Sequence, residues 1–220
     1  MTVLLVLLTF LVFVVVDYVL NRKKVLVQEP ATQPTAAALP ATFVEGFLVP
    51  DGLRYHAGHT WLMRERQHLA RVGADEFAAK LAGNIEKIEL PKPGQWIRQG
   101  QSAWGVFRNG QRTSMISPIE GEVVEVNAEV VNDPSLLRRD PYGKGWLMTV
   151  HVPDEQSTWR NLLPQNLVKG WMKDAVTRLY AAQPALAGAV AADGGRPVDD
   201  LITALPGADW ERITAEFFLS

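Results

Sequence analysis

The 220-residue chain contains no cysteine, which excludes disulfides, thiolate nucleophiles and Cys-ligated zinc. Its four histidines form no HExxH; His56 and His59 stand three apart with no third ligand nearby in sequence, and His68 and His151 are distant. No serine sits in a GxSxG setting, and Gly194-Gly195 lacks both a P-loop lysine and a preceding strand, so hydrolase and phosphate-loop chemistry have no carrier. A basic stripe is also missing: the net charge is −2 and the pI near 6.1, which argues against a nucleic-acid partner. Lysine is absent from the whole interval between Lys92 and Lys144.

What is present is organised around residues 103–126, AWGVFRNGQRTSMISPIEGEVVEV. Apolar residues suited to a strand lead to Asn109-Gly110, and Thr113, Met115 and Ile116 lead back. An Asn-Gly pair between such runs predicts a β-hairpin, because both central residues of a type I′ turn need positive φ. Pro118 and Gly121 punctuate the exit, and GEVVEV supplies another alternating strand.

This stretch resembles the lipoyl-bearing hairpin of the glycine cleavage system H-protein family. YHAGHTW at residues 55–61 resembles that family's opening block, and residues 72–101 resemble its helix-then-strand signature. Residues 117–152, from SPIEGEVVEV to TVHV, follow the family closely. The resemblance implies a mainly β fold, the lipoyl-domain-like barrel-sandwich hybrid of the lipoyl and biotinyl carriers, and it implies a lysine at the hairpin tip to which lipoate is attached. Here that position falls near Gly110 and Gln111. Lipoylation needs an amine that can lose its proton, and the flanking Arg108 and Arg112 cannot serve, since a guanidinium stays protonated. The sequence therefore predicts no cofactor. His59, where the family also has histidine, is expected to be structural rather than a metal ligand.

Residues 2–20, TVLLVLLTFLVFVVVDYVL, are about the length a bilayer core requires at about 1.5 Å per residue. Nothing basic precedes them and Arg22, Lys23 and Lys24 follow, so the expectation is a single transmembrane helix, N-terminus outside, with the C-terminal bulk in the cytoplasm. Asp17 then reads either as an interfacial carboxylate or as a polar contact to a neighbouring helix. Residues 25–42, with three prolines, read as a linker of up to about 50 Å.

Residues 43–153 form the expected β-domain, with a short helix beginning at Ala74 or Asp75 and strands punctuated by regular turn signals. Residues 154–220 form a helical extension: residues 165–183 carry a helical apolar period, and residues 199–205 and 209–219 read as short helices. Asp199-Asp200, like Asp75-Glu76, is expected to cap a helix start. The last helix presents Trp210, Ile213, Phe217 and Phe218, a stripe that packs on the molecule's own sheet or, where exposed, faces a partner.

Together these features predict a non-enzymatic, membrane-anchored accessory subunit of a larger membrane-protein complex, respiratory or photosynthetic. Its H-protein-like domain would dock partners through Arg108, Asn109 and Arg112, with Asp17, Trp210, Phe217 and Phe218 as further contacts. Arg138, Arg139 and Lys144 converge near the same end or form a solvated face. Two alternatives remain open: a tethered lipoyl carrier modified at Lys87, Lys92 or Lys144, and a ligand-binding regulatory domain using the cleft that receives the lipoyl arm in the family.

Overall fold

A computed structural model describes residues 35–182, 195–203, 207 and 209–219, together with positions 11, 13 and 16. Residues 1–34 and residues 35–220 are separate compact units. In the first, Leu11, Phe13 and Val16 are helical and exposed, and Asp17 lies outside the described residues. Among the described residues no helix is long and apolar enough to cross a membrane. This corrects the expectation of a single-pass topology: the apolar run at residues 2–20 does not yield a described spanning helix, and the orientation inferred from it has no structural support.

In the second unit, β1 (Ala41–Val44) and β2 (Phe47–Pro50) form a small hairpin. A six-stranded antiparallel sheet runs in the order β3 (Arg54–His56), β4 (Thr60–Arg66), β5 (Leu69–Ala74), β11 (Met148–His151), β10 (Gly121–Val126), β7 (Trp96–Ile97). A three-stranded sheet holds β6 (Lys87–Glu89), β8 (Ser102–Arg108) and β9 (Gln111–Ile116) in that order. The alternation of GEVVEV sends Gly121 and Val123 inward and Glu122 and Val124 outward, the period-2 pattern of a half-buried strand, until a register shift between Val123 and Glu125 leaves Glu125 exposed as well. Val72, Val106, Met115 and Val150 from both sheets lie in one continuous core, giving the mainly β, lipoyl-like barrel-sandwich expected.

The YHAGHTW block is the centre of that core. Trp61 is fully buried and its indole N–H donates to the carbonyl of Ala74 at 2.9 Å. Its register partner is Gly73, where any Cβ would collide with the ring. Helix α1 (Glu76–Ala82) follows, started by Asp75, whose carboxylate accepts from the Ala78 N–H at 2.8 Å. All seven residues of α1 are buried, including Glu76 and Lys80, so its polar side must be answered by other parts of the chain.

Four further helices are α2 (Ala128–Asn132), α3 (Ser135–Arg139), α4 (Glu155–Arg160) and α5 (Val168–Ala182), the last preceded by a 3₁₀ turn at Gln165–Leu167. Helix α6 (Trp210–Phe218) begins at Asp209, which accepts from the Arg212 N–H at 3.1 Å. Residues 199–203 form a bend and a turn rather than the start of the helix expected over residues 199–205. The Asp200 carboxylate accepts from the Thr203 N–H at 3.1 Å, as a cap would, but is also claimed by Asn84 and Arg108.

Candidate functional site

The hairpin forms as its turn chemistry dictates. Arg108 pairs with Gln111 across the turn, and Asn109 and Gly110 adopt φ of 49° and 75°. The Asn109 N–H donates to Glu86 Oε1 at 3.1 Å. No atom lies within 4 Å of where a Cβ on Gly110 would stand, so the tip projects into open space. Geometrically this is a display site; chemically it displays only a backbone turn. Among the described lysines, Lys87 is the one in the hairpin's sheet, opposite Phe107, and it is paired with Glu89 at 2.7 Å. Lys80 is buried, with Nζ donating to the carbonyl of Pro197 at 2.7 Å.

The expected docking residues separate into two groups. Arg112 is half-exposed: Nη1 donates to Ser114 Oγ at 2.8 Å, and the guanidinium lies over the Phe107 ring at 5.8 Å. Gly105 makes room for it, since a Cβ there would stand 2.8 Å from Arg112 Nε. Arg108, two residues from the tip's centre, turns the other way and is 8% exposed. It forms an ion pair with Asp200 at 2.8 Å and donates to Thr203 Oγ1 at 3.1 Å and to the carbonyl of Ala82 at 3.3 Å. Partial burial pushes the Asp200 carboxyl up, but the bonds from Arg108 and Thr203 outweigh it and hold it below the usual carboxylate range. Arg108 is thus satisfied within the chain and is not offered to a partner. Sequence could not show this, because its partner stands 92 residues away.

Trp210, Phe217 and Phe218 are likewise buried, at 3%, 2% and 0% exposure, which corrects their assignment as partner contacts. Phe217 meets Phe77 of α1 edge-on at 5.2 Å, and the Trp210 indole N–H donates to the Ala82 carbonyl at 3.1 Å. The backbone of Phe218 comes so near Gly58 that a Cβ there would stand 3.0 Å from its carbonyl oxygen. Helix α6 also forms one wall of a groove of about 320 Å³ beside the hairpin, with Glu211 and Ala215 facing Ser102, Arg112, Thr113 and Ser114.

Of the basic residues expected to converge, Arg138 reaches Asp199 at 3.7 Å and Arg139 pairs with Asp133, while at Lys144 it is the backbone N–H that donates to Asp140 at 2.7 Å. His59 is buried between the rings of Phe77 and Trp171, at 4.3 and 4.5 Å, with Nδ1 2.9 Å from Asp75 Oδ2. Among the described residues no group of three or more His, Asp or Glu is arranged to hold a metal. His56, held neutral by burial, accepts from the Gly58 N–H at 3.1 Å.

Comparison with known proteins identifies the surroundings of this hairpin. The family described as Glycine cleavage H-protein matches residues 53–175, more than half of the chain. A glycine cleavage system H protein of Carboxydothermus hydrogenoformans is 37% identical over 123 residues, covering 56% of this chain and 93% of that one. One from Mycobacterium leprae is 36% identical over 106 residues, covering 48% of this chain and 80% of that one. The crystal structure of a Mycobacterium marinum H protein aligns with 31% identity and a TM-score of 0.45, covering 48% of this chain and 87% of that one. These findings overturn the expectation of a membrane-anchored accessory subunit. The matching relatives are named for the glycine cleavage system and not for a membrane assembly, and no described helix supplies the anchor.

Proposed function

From the premise that this chain belongs to the glycine cleavage H-protein family, we propose that it is a non-catalytic member that carries no lipoyl group and acts by binding protein partners. The observation that carries this reading is the tip itself: the hairpin keeps its turn and its exposure, yet ends on Asn109-Gly110 with no lysine between Lys92 and Lys144. An acyl-amide linkage needs a primary amine, and a guanidinium does not replace one. The partners that fit are proteins recognising the H-protein body, and the relatives' name points to the glycine cleavage system as their source. Against such a surface the chain would occupy the place of a loaded carrier and deliver nothing.

The test is intact mass of the full chain produced alongside lipoate-attaching enzymes and free lipoate, with Gly110→Lys as the positive control. The native chain is expected unmodified and the variant modified. A lipoyl adduct on the native chain, at Lys87 or elsewhere, sinks the reading.

A further inference from the structure

The family match ends at residue 175, and two described portions of the chain beyond it contact the base of the hairpin and the end of α1. They are a strap at residues 195–203 and helix α6. The strap answers the buried polar side of α1 residue by residue. Arg196 reaches Glu76 at 3.2 Å, Lys80 donates to the Pro197 carbonyl and lies 3.5 Å from Asp199, and the Leu201 N–H donates to the Lys80 carbonyl at 3.2 Å. Helix α6 then covers the apolar side with Trp210, Ile213, Phe217 and Phe218.

The attachment has three properties of a part that moves as a unit. First, among the described residues no part of 195–219 joins a sheet, so detaching it breaks no strand ladder. Second, α6 has nine residues, too few to be helical on its own in water, so it is ordered by its seat. Third, the strap's own side of two of its ion pairs is wet: the Asp199 and Arg196 side chains are 74% and 63% exposed, although their partners Lys80 and Glu76 are buried, so salt screens these pairs from the strap's side. The dry exception is Arg108–Asp200, at 10% and 17% side-chain exposure.

That exception is also the one that reaches the hairpin. Arg108 and Trp210 both donate to the carbonyl of Ala82, at the end of α1 where helical carbonyls lack partners. Arg108 precedes Asn109-Gly110 directly, so displacing the tip moves the residue that holds the strap. We infer that the strap and α6 form an intrachain cap over α1 and the β9 side of the hairpin, latched by Arg108 to Asp200 and opening as a unit independently of the sheets. The seat under the cap, formed by Phe77, His59 and the end of α1, has α6 of the same chain as its occupant. The inference takes its purpose, control of a face beside the tip, from the partner-binding reading above, but the opening itself does not depend on that reading.

Native-state hydrogen exchange on the full chain tests it. The amides of α6 should exchange faster than those of β4, β5 and β11. Asp200→Asn should accelerate the α6 amides by on the order of tenfold, as expected for loss of one charge-assisted hydrogen bond, and in the native chain the α6 amides should show a weaker urea dependence than the sheet amides, which exchange only through global unfolding. Arg108→Gln should act in the same direction. Should that variant fail to fold, raising salt about tenfold on the native chain gives the independent arm, a smaller acceleration of the cap amides. The inference is overturned if α6 and the sheet exchange at one common rate and with one urea dependence in the native chain, or if Asp200→Asn leaves the α6 amides unaccelerated. A lipoyl adduct found on the native chain would remove the proposed function and leave these exchange rates as they are.

Discussion

The tip of the hairpin and its base are adjacent in sequence and opposite in character. Gly110 has no neighbour within 4 Å of its would-be Cβ, whereas Arg108 is 8% exposed and has three partners. The tip can therefore change its side chain with little consequence for folding, and an acceptor amine can be absent from it while the turn persists. The base cannot change so freely, because it holds another part of the molecule. Within one β-turn the chain passes from a region tuned for display to a region tuned for attachment.

Breaking the attached region should have the largest effect. Phe217→Ala should destabilise by about 3–5 kcal/mol, the usual cost of emptying a buried aromatic site, as read from urea unfolding. A loss below about 1 kcal/mol would mean that α6 is not part of the shared core. Asp75→Ala comes next, at about 2 kcal/mol or more, since it removes a helix N-cap and strands the buried His59 ring. A double-mutant cycle between Arg108→Gln and Asp200→Asn should show coupling of about 1 kcal/mol; a value near zero would demote the latch to a passive contact. The same pair has a pH signature. Because the folded state holds Asp200 below its ordinary value, its contribution is complete above about pH 4 and fades as pH falls through the lowered value. Protection of α6 should therefore be flat from pH 8 to pH 5, in the range about neutral, and fall on further acidification. Gly110→Ala should cost least, about 1 kcal/mol, wholly from its positive φ, because the side chain meets nothing.

Much of the architecture was legible in local chemistry. Asn109-Gly110 marked the turn, Asp75 the helix start, and the apolar period of residues 165–183 the long helix, now α5 with its 3₁₀ lead-in. Short elements were less visible. Helix α4 has six residues, too few to display a period, and its signal was the Asp154 cap on the Ser157 N–H. Residues 199–205 carried an acidic pair that suits a helix start, yet Asp200 is claimed by Arg108, a demand that no local window contains. The same reason hid the fate of the docking candidates: a charged or aromatic side chain looks available until its distant partner is known. The apolar run at residues 2–20 weighed heavily in the functional expectation, and it was the family of the folded body that set the reading right.

The Ala82 carbonyl collects donors from residues 26 and 128 positions further along the chain. Four of the eight described strand pairs, by contrast, close over a few residues: β1 with β2, β3 with β4, β4 with β5 and β8 with β9. Loop closure penalises distant pairings and favours near ones, so refolding should proceed in order, the hairpins early and the docking of α6 last. A fluorescence probe on Trp210 should then lag behind one reporting the sheets, and the interval between them would time the moment at which the end of α1 is sealed.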